Sequence, residues 1–423
     1  MMNIGRIYVN NFKSFNEIDI DLKKINLVIG ANASGKSNFI QIIKFYHDAI
    51  AYGLENAISL QGGTQYLRNT NLKENYKSLF KFELNFERKI IRKINSDKSI
   101  IEIKNILNEF HLSYNKRGDG FSIAYEKIII HFNEYSNNHK SNNLYDNKIG
   151  EFYIKLERIK GKKNIKIELV SENDNDNEYD VKEILPPIDL LEDLIEKDEL
   201  MINYIALFIG LRNFFNENFA IFDLDPKVLK KSSSVSAKYR LEEDGSNLSI
   251  CLNKVLKSPK TKKMFLGQLR DMLPFINGIL TEKTLDKTML FKIKEKYNNS
   301  RYFPAALMSD GTVNIVAMIL ALYFDNRNLV VFEEPERNIH PGLLSNVIEK
   351  FYEVSTKKQI LVTTHNPQLI KHVKIDDMIF IKRNEFGFTE GKRVNDIEDI
   401  GNFLDEEIGI DELYIDDIIG GLF

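Results

Sequence analysis

Gly30-Ala31-Asn32-Ala33-Ser34-Gly35-Lys36-Ser37 matches the spacing G-x-x-x-x-G-K-[ST] at every position. The chemistry explains the spacing. Glycines let the backbone wrap closely around a phosphate, so that successive N–H groups converge on its oxygens. A helix beginning at Lys36 adds the positive end of its dipole. In this reading Gly30, Asn32, Ser34, Gly35 and Asn38 line the cradle and Lys36 reaches the β- and γ-phosphates of ATP. The Ser37 hydroxyl joins the shell of Mg²⁺. The apolar run Ile25–Ile29 just before the loop is the buried parallel strand that such a loop requires.

Leu329-Val330-Val331-Phe332-Glu333-Glu334-Pro335-Glu336 supplies the complementary chemistry. An apolar strand ending in carboxylates places them at its C-terminal edge, where α/β sheets bind ligands. Glu333 is expected to hold Mg²⁺ through water, in a place where Asp is usual. Glu334 is expected to orient and deprotonate the attacking water. Thr363-Thr364-His365-Asn366-Pro367 closes another buried strand, and His365 is placed to sense a γ-phosphate. Met308-Ser309-Asp310-Gly311-Thr312 precedes a helix, so Ser309 and Gly311 form a second anion site by the same dipole argument. Taken alone, that segment is an ordinary serine cap.

The elements that must position these groups follow from pattern. Strand signals at Ile4–Val9 and Ile18–Leu22 precede the loop, and a helix runs from Lys36 to about Leu54. Phe80–Phe86, Phe110–Tyr114, Phe121–Tyr125, Ile128–Phe132, Phe152–Leu156 and Ile165–Leu169 alternate like antiparallel strands. Hairpin turns are expected at 115–120 and around Gly161. Between Glu172 and Leu200 stand twelve acidic and two basic residues, broken by Pro186-Pro187. This is a solvated linker in pattern, followed by a helical stretch to about Asn299. From there an α/β alternation returns. The expected fold is α/β, with a mixed central sheet, an antiparallel β lobe and a helical insert. Its segments are 1–75 with the phosphate loop, 76–170 as the β lobe, 171–300 as linker and insert, 301–395 as the returning α/β part, and 396–423 as an acidic tail.

Composition limits the function classes. The 423 residues are 43% hydrophobic and 28% charged, which excludes disorder as the main state. A net charge of −3 gives no bulk attraction to nucleic acid, so any DNA contact needs a local patch. Lys254, Lys257, Lys260, Lys262 and Lys263 form one. A single cysteine, Cys251, excludes an internal disulfide and suits a reducing cytoplasm. The N-terminus lacks a signal-peptide pattern, and the most apolar stretch, Ile202–Phe222, is too polar for a membrane span. The expectation is a cytoplasmic protein with no membrane partner.

The order of phosphate loop, Ser309/Gly311, paired acids and strand-end His365 resembles an ABC-type ATPase head. Asn11-Phe12-Lys13-Ser14-Phe15 resembles the entry loop of the RecF, SMC and OLD ATPases, and by that resemblance Lys13 lies near the nucleotide phosphates. Glu333–Pro341 and Thr364–Pro367 resemble the OLD-like group, and Asp244-Gly245-Ser246-Asn247-Leu248 resembles a stretch of its RloA-type members. The glutamine loop of such heads has two candidates, Gln61 and Gln65. The resemblance implies homodimers or higher homo-oligomers that sandwich ATP, one head's phosphate loop facing Ser309 and Gly311 of the other. Septu- and PARIS-type relatives imply an anti-phage role with a nuclease or toxin effector in trans. Rival readings are a RecF-like repair ATPase clamping DNA and an ATP-locked scaffold with little turnover. The chain has no LSGGQ sequence of membrane transporters and no coiled-coil insert of a full SMC protein. About 40 residues follow Ile381, fewer than the TOPRIM nuclease domain of OLD proteins needs, so any nuclease chemistry is expected from another chain.

Overall fold

The computed structural model describes every residue except 1, 73–75, 88–90, 95–98, 117–119, 137–147, 160–164, 172–183, 186, 210–217, 236, 299, 399, 401–408 and 423. It divides into two compact units, each assembled from three stretches of chain.

The first unit comprises Met1–Lys23, Ala33–Phe219 and Ile381–Lys392. Its strands Met2–Phe12 and Phe15–Asp21 form a hairpin, and Lys77–Phe86, Ser99–Tyr114, Phe121–Ser136, Lys148–Ile159 and Lys166–Ser171 follow in antiparallel order. Phe121–Tyr125 and Ile128–Phe132, expected as two strands, are parts of one 16-residue strand. The apolar parity changes within it because Ala124 is extra: His111 pairs with Tyr125 while Leu112 pairs with Ile123. Such a bulge moves the buried face from Ile123 to Glu126, Ile128, Ile130 and Phe132. The centres of both expected hairpin turns lie outside the described residues.

The helix Lys36–Tyr52 packs on this sheet through aromatic rings. The Tyr46 ring stacks on Phe82 at 3.7 Å, and the Phe45 ring lies 5.0 Å from Phe80. Buried aromatic pairs of this kind add about 0.5–1.5 kcal/mol beyond their area. The helix that follows the phosphate loop is thus held near its middle by a ring cluster.

The second unit comprises Lys24–Asn32, Ala220–Phe380 and Arg393–Phe423. Leu329–Glu333, Gln359–Thr364 and Ile25–Ile29 pair in parallel, and Met378 to Phe380 extend the ladder beyond Ile25–Ile29. Parallel strands are covered on both faces, hence their continuous apolar runs. The helices Asp310–Tyr323 and Leu344–Ser355 contribute to that cover and to one continuous apolar core.

The stretch expected to stay helical to Asn299 is only partly so. The helices Leu248–Lys257 and Pro259–Met272 are followed by two paired strands, Ile276–Lys283 and Thr288–Glu295. The buried Met289, Phe291 and Ile293 recur every second residue, which suits a strand with one buried face. The 396–423 stretch also contributes helices, Ile410–Ile415 and Ile418–Leu422, whose Ile410, Leu413 and Ile419 enter the core.

Candidate functional site

The parallel register sets the geometry of the second unit's sheet edge. Glu333 pairs with Thr363, and Thr364 pairs with Ile29. Gly30, Glu334 and His365, each the next residue after its strand, therefore emerge at the same C-terminal edge. Glu334 adopts a left-handed backbone, φ 43°, rare for a non-glycine residue and a form of strain that gathers at functional sites. Its amide donates to the Thr363 carbonyl at 3.0 Å, which fixes the turn.

The Glu334 side chain is shared between two bases. His365 Nδ1 lies 2.7 Å from Oε1, and Arg337 Nε donates to Oε2 at 2.9 Å. Arg337 is itself held by Asp223 at 2.8 Å. Burial works to raise the Glu334 carboxyl, but Arg337 and His365 outweigh it and hold it below the usual carboxylate range. Glu336 behaves oppositely. It is buried, the Thr364 hydroxyl donates to its Oε1, and Oε2 has no hydrogen-bond partner among the described residues. Burial pushes its carboxyl up. Two carboxyls two residues apart thus differ in affinity for a proton, the pattern that separates acid and base roles. Sequence reasoning named Glu336 only as part of a motif; its burial is a tertiary fact.

Ser309 caps the helix Asp310–Tyr323, accepting from the Thr312 amide at 3.2 Å. Gly311 is obligatory in packing terms, since a Cβ there would lie 2.4 Å from the Asn338 carbonyl oxygen. Asn314 on the same helix donates to the Arg337 carbonyl at 2.8 Å, so this helix start and the Glu334 turn are fastened together.

The phosphate-loop residues from Ala33 onward belong to the first unit. Gly35 has φ 115°, and a Cβ there would meet the Thr389 hydroxyl at 2.5 Å. That hydroxyl donates to the Ser34 carbonyl at 3.0 Å and lies 2.7 Å from Ser14 Oγ. Ser14 also accepts from Asn38 Nδ2 at 2.7 Å. The loop conformation is therefore propped by the segment after Lys13 and by Thr389, which sequence reading missed. Lys36, the helix's first residue, is buried, and the buried Ser34 hydroxyl has no partner among the described residues. Lys13 has φ 48° and lies over the Phe12 ring at 5.9 Å, and burial lowers its pKa.

No group of three or more His, Cys, Asp or Glu that could hold a metal occurs among the described residues. Mg²⁺ is ordinarily held by few protein groups together with phosphates, a mode that needs no such cluster. Gln61 is buried and donates to Gln41 at 3.0 Å, whereas Gln65 is exposed. In the Asp244–Leu248 segment, Asn247 Nδ2 donates to the Lys238 and Arg240 carbonyls at 2.8 and 2.6 Å, so this stretch closes a turn. Lys254, Lys257, Lys260, Lys262 and Lys263 are all exposed where two helices meet at Ser258. Burial pushes the Cys251 thiol up to about 12, which leaves it inert. No helix among the described residues is long and apolar enough to cross a membrane.

Known proteins resemble this chain over most of its length. Endonuclease GajA of Bacillus cereus (strain VD045) is 22% identical over 407 residues, covering 91% of this chain and 59% of that protein. The chain thus spans less than two thirds of that relative. Among solved structures, an SmcHead bound to the C-winged helix domain of ScpA has a TM-score of 0.49 at 12% identity, covering 92% of this chain and 97% of that one. The SMC head domain from Thermotoga maritima has a TM-score of 0.41 at 13% identity, covering 92% and 98%. The family described as "AAA domain, putative AbiEii toxin, Type IV TA system" matches residues 25–371, from the strand before the phosphate loop to just beyond His365. With the motif order of an OLD- and SMC-related ABC-type ATPase in that span, the chain belongs to this AAA-domain family.

Proposed function

We propose that the chain binds ATP with Mg²⁺ and hydrolyses it. ATP-driven pairing of two heads controls an effector protein, a nuclease or toxin, in bacterial anti-phage defence. The observation that carries the hydrolytic part is Glu334: a strained residue at a parallel strand end, kept ionised by Arg337 and touching His365 at 2.7 Å.

In this reading the amides from Gly30 to Ser37 and the Lys36 ammonium take the phosphates, with Asn38 and Lys13 flanking them. When bound, Mg²⁺ would supply charge neutralisation at the phosphates, and Ser37 and Glu333 would hold it. Glu334 accepts the proton of the attacking water, and His365 passes the presence of the γ-phosphate to that carboxylate. Ser309 and Gly311 present the start of their helix to the γ-phosphate held by a second copy. The matched relative is an endonuclease of greater length, which supports a nuclease as the effector's chemistry.

The test is ATP turnover, with size measured by light scattering in a Glu334→Gln background. We expect an ATP-dependent dimer, lost in Ser309→Arg, whose side chain would stand in the path of the facing γ-phosphate. A dimer of undiminished affinity would reduce Ser309 to a helix cap. A second reading, a RecF-like clamp on DNA, rests on the exposed lysine corner. Salt-dependent duplex affinity that falls for all sequences on changing Lys257, Lys260 and Lys263 to Glu would favour it.

A further inference from the structure

Two turns meet at the sheet edge of the second unit, 334–339 after the strand Leu329–Glu333 and 364–368 at the end of Gln359–Thr364. Backbone and side chains join them. The Glu334 amide donates to the Thr363 carbonyl at 3.0 Å, and His365 Nδ1 lies 2.7 Å from Glu334 Oε1. A further bond is buried: the Thr364 hydroxyl donates to Glu336 Oε1, and these residues are 0% and 6% exposed. The same hydroxyl accepts from the Asn366 amide at 2.9 Å, so it ties together the two residues that flank His365. Asn366 Oδ1 in turn accepts from the Gln368 amide at 3.0 Å and caps the short helix Pro367–Ile370. The His365 side chain is 43% exposed, so packing does little to fix the ring, and the backbone on either side sets its place.

A buried carboxyl is a costly choice in this turn. Glu336 Oε2 has no hydrogen-bond partner among the described residues, and an apolar side chain of similar size would avoid that cost. What the carboxyl adds is the bond from Thr364 to its other oxygen. We infer that Glu336 is a positioning residue of the hydrolytic site, acting through the Thr364 hydroxyl to hold His365 against Glu334. The hydroxyl has one proton, and Glu336 fixes its direction by accepting it. A lone pair is then left facing the Asn366 amide, which closes the turn around His365. Without this pair of bonds the backbone at 364–366 is free to shift. Misplacement by about 1 Å can cost on the order of 10²-fold in rate, because the reacting groups no longer meet in line.

This inference rests on the ATPase reading above. Its test is steady-state ATP hydrolysis by the full chain carrying Thr364→Val, which keeps the shape and removes the hydroxyl. We expect kcat to fall about tenfold with KM for ATP shifted less than about threefold, and Thr364→Ser, which keeps a hydroxyl, to recover about half of the wild-type rate or more. In a His365→Ala background, read by single turnover at high enzyme concentration, Thr364→Val should cost less than about twofold more, because its effect passes through that ring. A further tenfold loss there, or a Thr364→Ser as slow as Thr364→Val, would overturn the inference. Normal turnover in Thr364→Val beside a dead Glu334→Gln would also overturn it while leaving the ATPase reading intact. Should Thr364→Val not fold, Glu336→Met removes the other half of the bond and is read against the same outcomes. A wild-type chain that neither binds nor hydrolyses ATP would overturn both.

Discussion

Glu126 in the first unit and Glu334 in the second are both held by an arginine, and little else about them is alike. Glu126 is completely buried on the face opened by the Ala124 bulge. It takes Arg158 at 3.0 Å and the amides of Met201 and Ile202 at 2.9 and 3.4 Å. Those amides begin the helix Met201–Phe208, so the carboxylate also caps its positive end. Glu334 is only partly buried, sits in strained backbone, and shares its oxygens between a guanidinium and an imidazole. One carboxylate has every partner supplied by the fold on ordinary backbone. The other is held under strain next to a titratable ring. Satisfied burial marks a structural joint, whereas strain with a titratable neighbour marks a place built to accept something further.

The largest expected effect falls on the structural joint. Arg158→Met leaves Glu126 buried without its cation and should cost about 3 kcal/mol of stability. Chemical denaturation would measure it, with turnover per folded molecule preserved. An unchanged midpoint would mean that the two amides suffice and that the two carboxylates differ less than argued.

Glu334→Gln should do the reverse. Gln keeps the shape but cannot take a proton from water, so kcat should fall on the order of 10²-fold while ATP binding persists. If Glu333→Gln abolishes turnover instead and Glu334→Gln does not, the two roles are exchanged.

Lys36→Ala removes the cation aimed at the phosphates. At least a tenfold loss of ATP affinity, ~1.4 kcal/mol, is expected by calorimetry. Equal affinity would remove the phosphate-loop assignment.

The smallest effect is in pH dependence, and its sign separates the two carboxylates. Burial raises Glu126 above its ordinary 4.5, so its ionisation costs stability and that cost grows as pH rises from there. Glu334 is depressed below 4.5, so its stabilising contribution is present above that value and is lost as pH falls through the lower folded value. Its exposure screens the second effect to a fraction of a kcal/mol. Melting curves of Glu126→Gln and Glu334→Gln against wild type across this range should diverge in opposite directions. Parallel curves would show that burial does not distinguish them.

Much of the site is legible in the primary structure because local chemistry demands it. A phosphate loop needs glycines and a Lys-Ser pair in one contiguous order, and the strand before it must be apolar throughout. The same holds for the apolar run ending at Glu333 and Glu334 and for Ser309 as a cap. These are short-range requirements, and contiguous residues meet them. The resemblance to ABC-type heads rests on the same segments, and the family match over residues 25–371 bears it out.

What only tertiary structure decided are the contacts between distant stretches. Thr389 props Gly35 from more than 350 residues away, and no local pattern announces it. Glu336 looks like one more acid in a turn until burial leaves one oxygen without a hydrogen-bond partner among the described residues. The strands Ile276–Lys283 and Thr288–Glu295 were hidden by lysines and glutamates on the face that stays in water. The acidic 396–423 stretch carries Ile410 and Leu413, three residues apart on one short helix, and Ile419 on the next. Charge dominated its composition, but burial is decided by where a few apolar side chains find a core, and in this chain that core is assembled from three separate stretches.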